Sequence, residues 1–198
     1  QQNVGLLLHT SSGAVIANMA ILMNGQTVVN LNYTSSLVAL RSAIDMAELE
    51  CIFSSRRFLE RLEQRGVDVE ALTQLLPFYF LEDVKEGIHK AELLSTLMMV
   101  RLLPARLLKL VVCRAHDPRK TAAILFSSGS EGAPKGVNLS HHNILGNLKQ
   151  ISDVLNLQSD DVVMASLPLF HAFGLTVNQF MPLIEGAPMV CHADPTDA

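Results

Sequence analysis

Apolar and polar positions along the chain alternate between the periods of strands and helices. Val4 to Leu8 is a short continuous apolar run, which suits a strand buried on both faces. Ser12 is placed to cap a helix running to Met23, with Asn24-Gly25 as its stop. Thr27 to Leu31 returns to strand character. From Ser36 a second helix carries Leu37, Leu40, Ile44 and Ala47 at spacings of three and four. Glu50 to Phe53 reads as a strand, Arg57 to Arg65 as a charged surface helix ending at Gly66, and Phe78 to Leu81 as a fourth strand. Order resumes further on with a strand from Ala122 to Phe126, a Ser/Gly loop, and a helix opened by Ser140. That helix sets Ile144, Leu145, Leu148, Ile151 and Leu155 on one face. A strand (Asp161 to Ser166), a helix (Phe173 to Ile184) and a last strand (Pro188 to Cys191) follow. This alternation predicts an α/β fold, a mostly parallel sheet flanked by helices.

Between these halves lies a segment of different charge, 85–120. It holds eight basic residues (Lys85, Lys90, Arg101, Arg106, Lys109, Arg114, Arg119, Lys120) against three acidic ones (Glu86, Glu92, Asp117), in a chain of net charge −4. Leu93 to Val112 within it is rich in Leu and Met and broken by Pro104. Two readings fit: an amphipathic helix packed on the domain with its basic residues solvated, or a segment lying in a membrane surface. No apolar run approaches the ~20 residues of a spanning helix.

Composition narrows the function classes. A net −4 chain without Trp and with only two Tyr lacks the basic surplus and the stacking aromatics expected of a nucleic-acid binder. Cys51, Cys113 and Cys191 are far apart in apolar surroundings and read as free buried thiols, not as a disulfide framework or zinc site. No carboxylate–His spacing resembles a metal site. The opening Gln1-Gln2-Asn3-Val4 lacks a basic leader region and reads as mid-domain sequence, so the chain is expected to be a fragment.

The chemistry concentrates in Ser127-Ser128-Gly129-Ser130-Glu131-Gly132-Ala133-Pro134-Lys135-Gly136-Val137. It follows an apolar strand, and open α/β sheets bind ligands at the carboxyl ends of their strands. Small residues let backbone N–H groups approach an anion, hydroxyls add donors, and Lys135 adds a positive charge, as a polyphosphate requires. A Walker A loop is excluded because Lys135 is followed by Gly136 and Val137, not by Ser or Thr. A G-x-G-x-x-G loop is excluded because Gly129 has no glycine two residues later. By composition alone, a plain Ser/Gly turn remains an equal reading.

The whole string resembles the phosphate loop of the adenylate-forming superfamily: acyl-CoA synthetases, luciferases and peptide-synthetase adenylation domains. Every position agrees except Glu131, where most members carry Thr. Ser140-His141-His142-Asn143 and Leu167-Pro168-Leu169-Phe170-His171-Ala172-Phe173-Gly174 resemble strings that follow in the same family, and Val4 to Asn32 resembles its first βαβ unit. Ser-Gly-Ser-Glu-Gly, the run Leu169 to Val177 and Leu31-Asn32-Tyr33-Thr34 look most like the bacterial branch joining acyl-[acyl-carrier-protein] synthetase to 2-acylglycerophosphoethanolamine acyltransferase, where Glu131 is expected.

The resemblance implies the N-terminal part of a large AMP-binding domain, with 1–84 as its first βαβ units, 85–120 as a basic connection and 121–198 as the phosphate-loop unit. It implies ATP with Mg²⁺ as cofactors and a nucleotide site of Ser127, Ser128, Gly129, Ser130, Glu131, Gly132 and Lys135 with no assigned metal ligand, Lys135 and His171 being catalytic and Phe170 and His171 lining the acyl site. His141 and His142 are expected to be capping or surface residues. The implied reaction activates a fatty acid as acyl-AMP and passes it to a thiol of acyl carrier protein or coenzyme A. A role in lysophospholipid reacylation would follow, in the cytoplasm with contact to the inner membrane through Leu93 to Val112. A ligase for another acid and a non-catalytic nucleotide- or acyl-binding relative are the alternatives. The motifs that follow in the family, its hinge and its C-terminal lid domain are absent, so the fragment alone is expected to be inactive. His192 and Asp197 share the His-x4-Asp spacing of glycerolipid acyltransferases, but their setting does not resemble that domain and the pair reads as chance.

Overall fold

The structure is a computed structural model that describes residues 2–115, 117–127, 134–158 and 160–192. The first half winds β1 (Asn3–Leu6), α1 (Ser12–Met23), β2 (Thr27–Asn30), α2 (Leu37–Met46), β3 (Ile52–Ser54), α3 (Arg56–Gln64), α4 (Val69–Thr73) and β4 (Phe78–Phe80). Three further helices follow, α5 (Leu81–Gly87), α6 (Lys90–Leu102) and α7 (Ala105–Val112). The second half runs β5 (Thr121–Ser127), β6 (Lys135–Ser140), α8 (His141–Leu155), β7 (Val163–Ala165), a π-helical segment Gly174–Phe180, α9 (Met181–Glu185) and β8 (Met189–Cys191). Six strands form one sheet in the order β4-β3-β1-β2-β5-β6, parallel except for β6, which runs antiparallel to β5. β7 and β8 pair in parallel as a separate two-stranded sheet.

Alternation along the strands divides the core into two layers. Val4, Leu6, Val28, Ala123 and Leu125 face α1 and α8, while Leu7, Val29, Ile52 and Ile124 face α2, α3 and α4. Helices therefore cover both faces, which explains why the strands read as near-continuous apolar runs. The connection leaving β1 goes to one face, and those leaving its neighbours β2 and β3 go to the other. That divergence makes a crevice at the carboxyl ends of β1, β2 and β3, the place where open α/β sheets bind ligands.

Local sequence signals explain the element ends. Ser36 and Ser140 cap α2 and α8 through hydrogen bonds accepted from Ala39 N–H (3.3 Å) and Asn143 N–H (3.1 Å). Gly25 and Gly66 stand at φ +74° and +85°, where a side chain would strain the turn. The cap of α1 is Ser11, not Ser12: its hydroxyl accepts from Ala14 N–H at 3.3 Å while Ser12 is already helical. Phe173 to Ile184 is not one regular helix, because Gly174–Phe180 is π-helical and only Met181–Glu185 is α-helical.

The packed-helix reading of 85–120 is corrected. Neither α6 nor α7 contains a buried residue. Leu93, Leu94, Leu97, Met98, Leu102, Leu107, Leu110 and Val111 are exposed, Leu102 and Leu110 to 75% and 78%. For α6 the reason is compositional, since apolar residues surround it on nearly all sides and no single face selects a docking surface, whereas α7 is amphipathic and the structure gives no reason for its exposure.

Candidate active site

The predicted phosphate-binding string leaves the sheet at Ser127, the last residue of β5, and re-enters it at Lys135, the first residue of β6. The two are paired across the antiparallel ladder. Lys135 and Ser127, eight positions apart in sequence, are thus neighbours at the base of a hairpin, both exposed. Ser128, Gly129, Ser130, Glu131 and Gly132 lie outside the described residues, as does Asp197 of the chance His192–Asp197 pair. The strand β6 was not foreseen: Lys-Gly-Val-Asn-Leu-Ser carries a glycine and four exposed positions, so it reads as loop. At Gly136 a Cβ would stand 3.1 Å from the Phe126 ring, so a side chain there requires the ring to give way by a few tenths of an ångström.

The second motif is tied to the crevice by named contacts. Thr10, just past β1, donates its hydroxyl to the Leu167 carbonyl at 2.8 Å. With its amide oriented to suit both neighbours, the Asn178 side-chain oxygen accepts from Leu167 N–H (2.7 Å) and Ser166 N–H (3.2 Å). His171 N–H donates to the Pro168 carbonyl (3.2 Å), and the His171 carbonyl accepts from Leu175 N–H (2.8 Å). Phe170 is buried, at 5% exposure, whereas the adjoining His171 is exposed. The two rings lie 4.5 Å apart at 53°. Phe170 thus anchors the motif, and His171 is presented outward to solvent.

Other predicted positions do less. Ser140 caps α8 with the help of Asn143, His142 is on the surface, and His141 N–H donates to the Lys120 carbonyl at 3.3 Å. Cys51, Cys113 and Cys191 are free thiols, but only half-buried. Among the described residues no cluster of three His, Cys, Asp or Glu side chains could hold a metal, and no helix is long and apolar enough to cross a membrane.

Two residues at the site were missed. Gln179, in the π-helical segment, is fully buried, and its side-chain nitrogen and oxygen have no partner among the described residues. Such an enclosed amide is a cost to stability, and nothing in a lone Gln on an apolar stretch signals it. His9 lies three residues past β1, 5.1 Å from the Phe58 ring, with Nδ1 enclosed and unpartnered among the described residues. Burial first, and the charge of Arg61 second, push its pKa below the ordinary value. An unfolded His titrates near about 6.5, so below that pH the unfolded chain binds the proton that the folded chain refuses. Stability is therefore expected to fall as pH drops from about 6.5 towards the lowered folded value, and to level off beneath it. Thermal melts of the intact protein between about pH 5 and 7.5 should show a flatter profile for His9→Phe, which keeps a ring at this place.

The comparison that decides the family is a match to the model of the AMP-binding enzyme family over residues 1–198, the whole chain. The chain belongs to that family. The AMP-binding enzymes most similar to it include the acyl-CoA ligase sidI of Beauveria bassiana, 36% identical over 84 residues (42% of this chain and 15% of that protein). The medium-chain fatty-acid–CoA ligase of Escherichia coli K12 is 46% identical over 69 residues (35% of this chain, 12% of that protein). Among solved structures, o-succinylbenzoate coenzyme A synthetase of Bacillus subtilis in complex with ATP and magnesium ion superposes with a TM-score of 0.75 at 17% identity. It covers 99% of this chain, and the match takes in 45% of the synthetase. The fold of this AMP-binding chain is thus the mixed α/β arrangement of adenylate-forming enzymes, and the chain spans less than half the length of these relatives.

Proposed function

We propose that the intact protein activates a fatty acid as its acyl adenylate and then transfers the acyl group to a thiol. The observation that carries this reading is the placement of two motif groups at one edge of the sheet. Ser127 and Lys135 pair where β5 ends and β6 begins, and Phe170–His171 is held over the ends of β1 and β2, with β2 lying between β1 and β5.

In the first step a carboxylate oxygen of the acid attacks the α-phosphorus of ATP. The bond from that phosphorus to the bridging oxygen breaks, and pyrophosphate leaves with the electron pair. In the second step the thiol sulfur attacks the acyl carbonyl, its proton is lost, and AMP departs. Lys135 and the hydroxyl of Ser127 suit the phosphate oxygens, as a cation and a donor set. Ser128, Gly129, Ser130 and Gly132 would add backbone and hydroxyl donors, and Glu131 a carboxylate. Magnesium is usually carried by phosphate oxygens with one or two carboxylates, and Glu131 is the carboxylate of the motif that would serve it. When bound, the ion offsets charge on the departing pyrophosphate. His171 and Phe170 would bound the place of the carboxylate and acyl chain. The chain's contribution is mainly positioning and charge stabilisation.

For the acceptor we favour the thiol of an acyl carrier protein, with the acyl group destined for a lysophospholipid, because Glu131 and Leu169 to Val177 suit that branch. Coenzyme A is the second reading, favoured by the names of the curated relatives. Offering the full-length protein each thiol in turn, and weighing the thioester formed, separates the two. Fatty-acid-dependent exchange of pyrophosphate into ATP tests the adenylation itself.

The exposed Leu and Met of α6 and α7, with the basic surplus around them, support peripheral contact with an anionic membrane at its cytoplasmic side. The intact protein is expected to co-sediment with phosphatidylglycerol-containing vesicles and not with neutral ones. Raising salt should weaken this, because each Lys or Arg near the surface contributes about 1 kcal/mol through a screened interaction. Equal binding to neutral vesicles, or none to either, would contradict it.

A further inference from the structure

Three aromatic side chains and two histidines from distant parts of the sequence meet over the crevice. His9 follows β1, Tyr33 follows β2, Phe58 lies in α3 just beyond β3, and Phe170–His171 comes from the segment tied to Thr10. Their rings touch in series. His9 lies 5.1 Å from Phe58, Phe58 lies 5.1 Å from Tyr33 at 80°, Tyr33 lies 5.0 Å from Phe170 at 87°, and Phe170 lies 4.5 Å from His171. The two contacts of Tyr33 are edge-to-face, favourable and directional, so Phe58, Tyr33 and Phe170 limit one another's tilt, while the outer two pairs are tilted. Phe58 and Phe170 are buried, which fixes the column at two points, while His171 at its end is exposed.

We propose that Tyr33 and Phe58 are positioning residues that hold the His171 imidazole, through Phe170, in its place at the ligand edge. Tyr33 and Phe58 lie outside both the Ser127–Val137 and the Leu167–Gly174 strings, although Tyr33 belongs to the Leu31–Thr34 string. The column nevertheless joins the ends of the three strands whose connections diverge to the segment that presents His171. A side chain meant for proton transfer or for gating an acid must be held to within a fraction of an ångström, and a stack of rings does that with little conformational entropy to lose. Tyr33→Phe keeps the ring and the stack. Tyr33→Ala removes the contact that Phe170 leans on.

This inference rests on the adenylation reading for its kinetic test and on the geometry alone for its spectroscopic one. In the full-length protein, Tyr33→Ala is expected to lower kcat/KM for the fatty acid in ATP–pyrophosphate exchange at least tenfold, with KM for ATP within twofold and Tyr33→Phe near wild type. In His171→Ala the same Tyr33→Ala change should add little, because both act through one side chain. Additive losses, or a lowered melting temperature with unchanged acid kinetics, would overturn the proposal. The imidazole resonance of His171, assigned by its loss in His171→Ala, should shift or broaden in Tyr33→Ala and in Phe58→Leu but not in Tyr33→Phe. An unmoved resonance overturns the positioning role whether or not the protein adenylates. Absent exchange in the wild type, with a resonance that does move, would instead sink the adenylation reading and leave the column standing.

Discussion

Replacing Lys135 by Ala in the intact protein is expected to cut fatty-acid-dependent ATP–pyrophosphate exchange by about 10²–10³-fold, the usual effect of removing one preorganised group that stabilises transition-state charge. The expectation follows from where the residue stands. Lys135 opens β6 and pairs with Ser127 across the hairpin, so its backbone is fixed by the ladder while its side chain is exposed at the loop's base. Alanine keeps the backbone pairing and leaves the fold intact. Lys135→Arg keeps the charge but changes its geometry from a compact ammonium to a planar fork, and should recover only part of the rate. A rate for Lys135→Ala within threefold of wild type, at saturating and at limiting ATP, would remove Lys135 from the phosphates.

The second large effect is expected at Gly174. A Cβ there would stand 2.1 Å from the Pro168 carbonyl oxygen and 2.9 Å from its carbon. No rotamer relieves such a clash, because both atoms are backbone. The turn carrying Phe170 and His171 must therefore open, breaking the bonds from His171 N–H to Pro168 and from Leu175 N–H to His171. Gly174→Ala is expected to destabilise the protein by about 3 kcal/mol, the upper end of what overpacking costs. It should also lower acid-dependent exchange about 10²-fold, as a displacement near 1 Å can. Thermal melts read the first effect and exchange kinetics at a temperature where the variant is folded read the second. A variant with unaltered melting and kinetics would mean that the turn is not held as described. Gly174 closes the Leu-Phe-His-Ala-Phe-Gly run for a steric reason that its sequence position alone does not reveal.

Much of the architecture was legible because its signals are local. Doubly buried strands such as Thr27–Asn30 read as apolar runs, Ser36 and Ser140 announced their helices, and Gly25 and Gly66 marked the turns. Edge strand β6 was not legible, since Lys135 to Asn138 are exposed on both faces and leave no alternation, and Gly136 lies against Phe126 only in the fold. Adjacent serines at 11 and 12 left the cap of α1 one residue in error, and propensity does not separate a π-helical turn from an α-helical one at Gly174–Phe180. The site divides in the same way. Ser127, Lys135, Phe170 and His171 sit in contiguous motifs, and pattern alone is enough to propose them. Tyr33 meets Phe170, and Phe58 and His9 join them in series through Tyr33, only because three strands end side by side, and no spacing along the chain encodes that meeting.

The measurement that bears most directly on the central claim is exchange of labelled pyrophosphate into ATP by the full-length protein, with and without a series of fatty acids. The account predicts label in ATP only when a fatty acid is present, since the exchange requires reversible formation of the acyl adenylate. Exchange independent of fatty acid, or none with any fatty acid in a protein that still binds ATP, would contradict it.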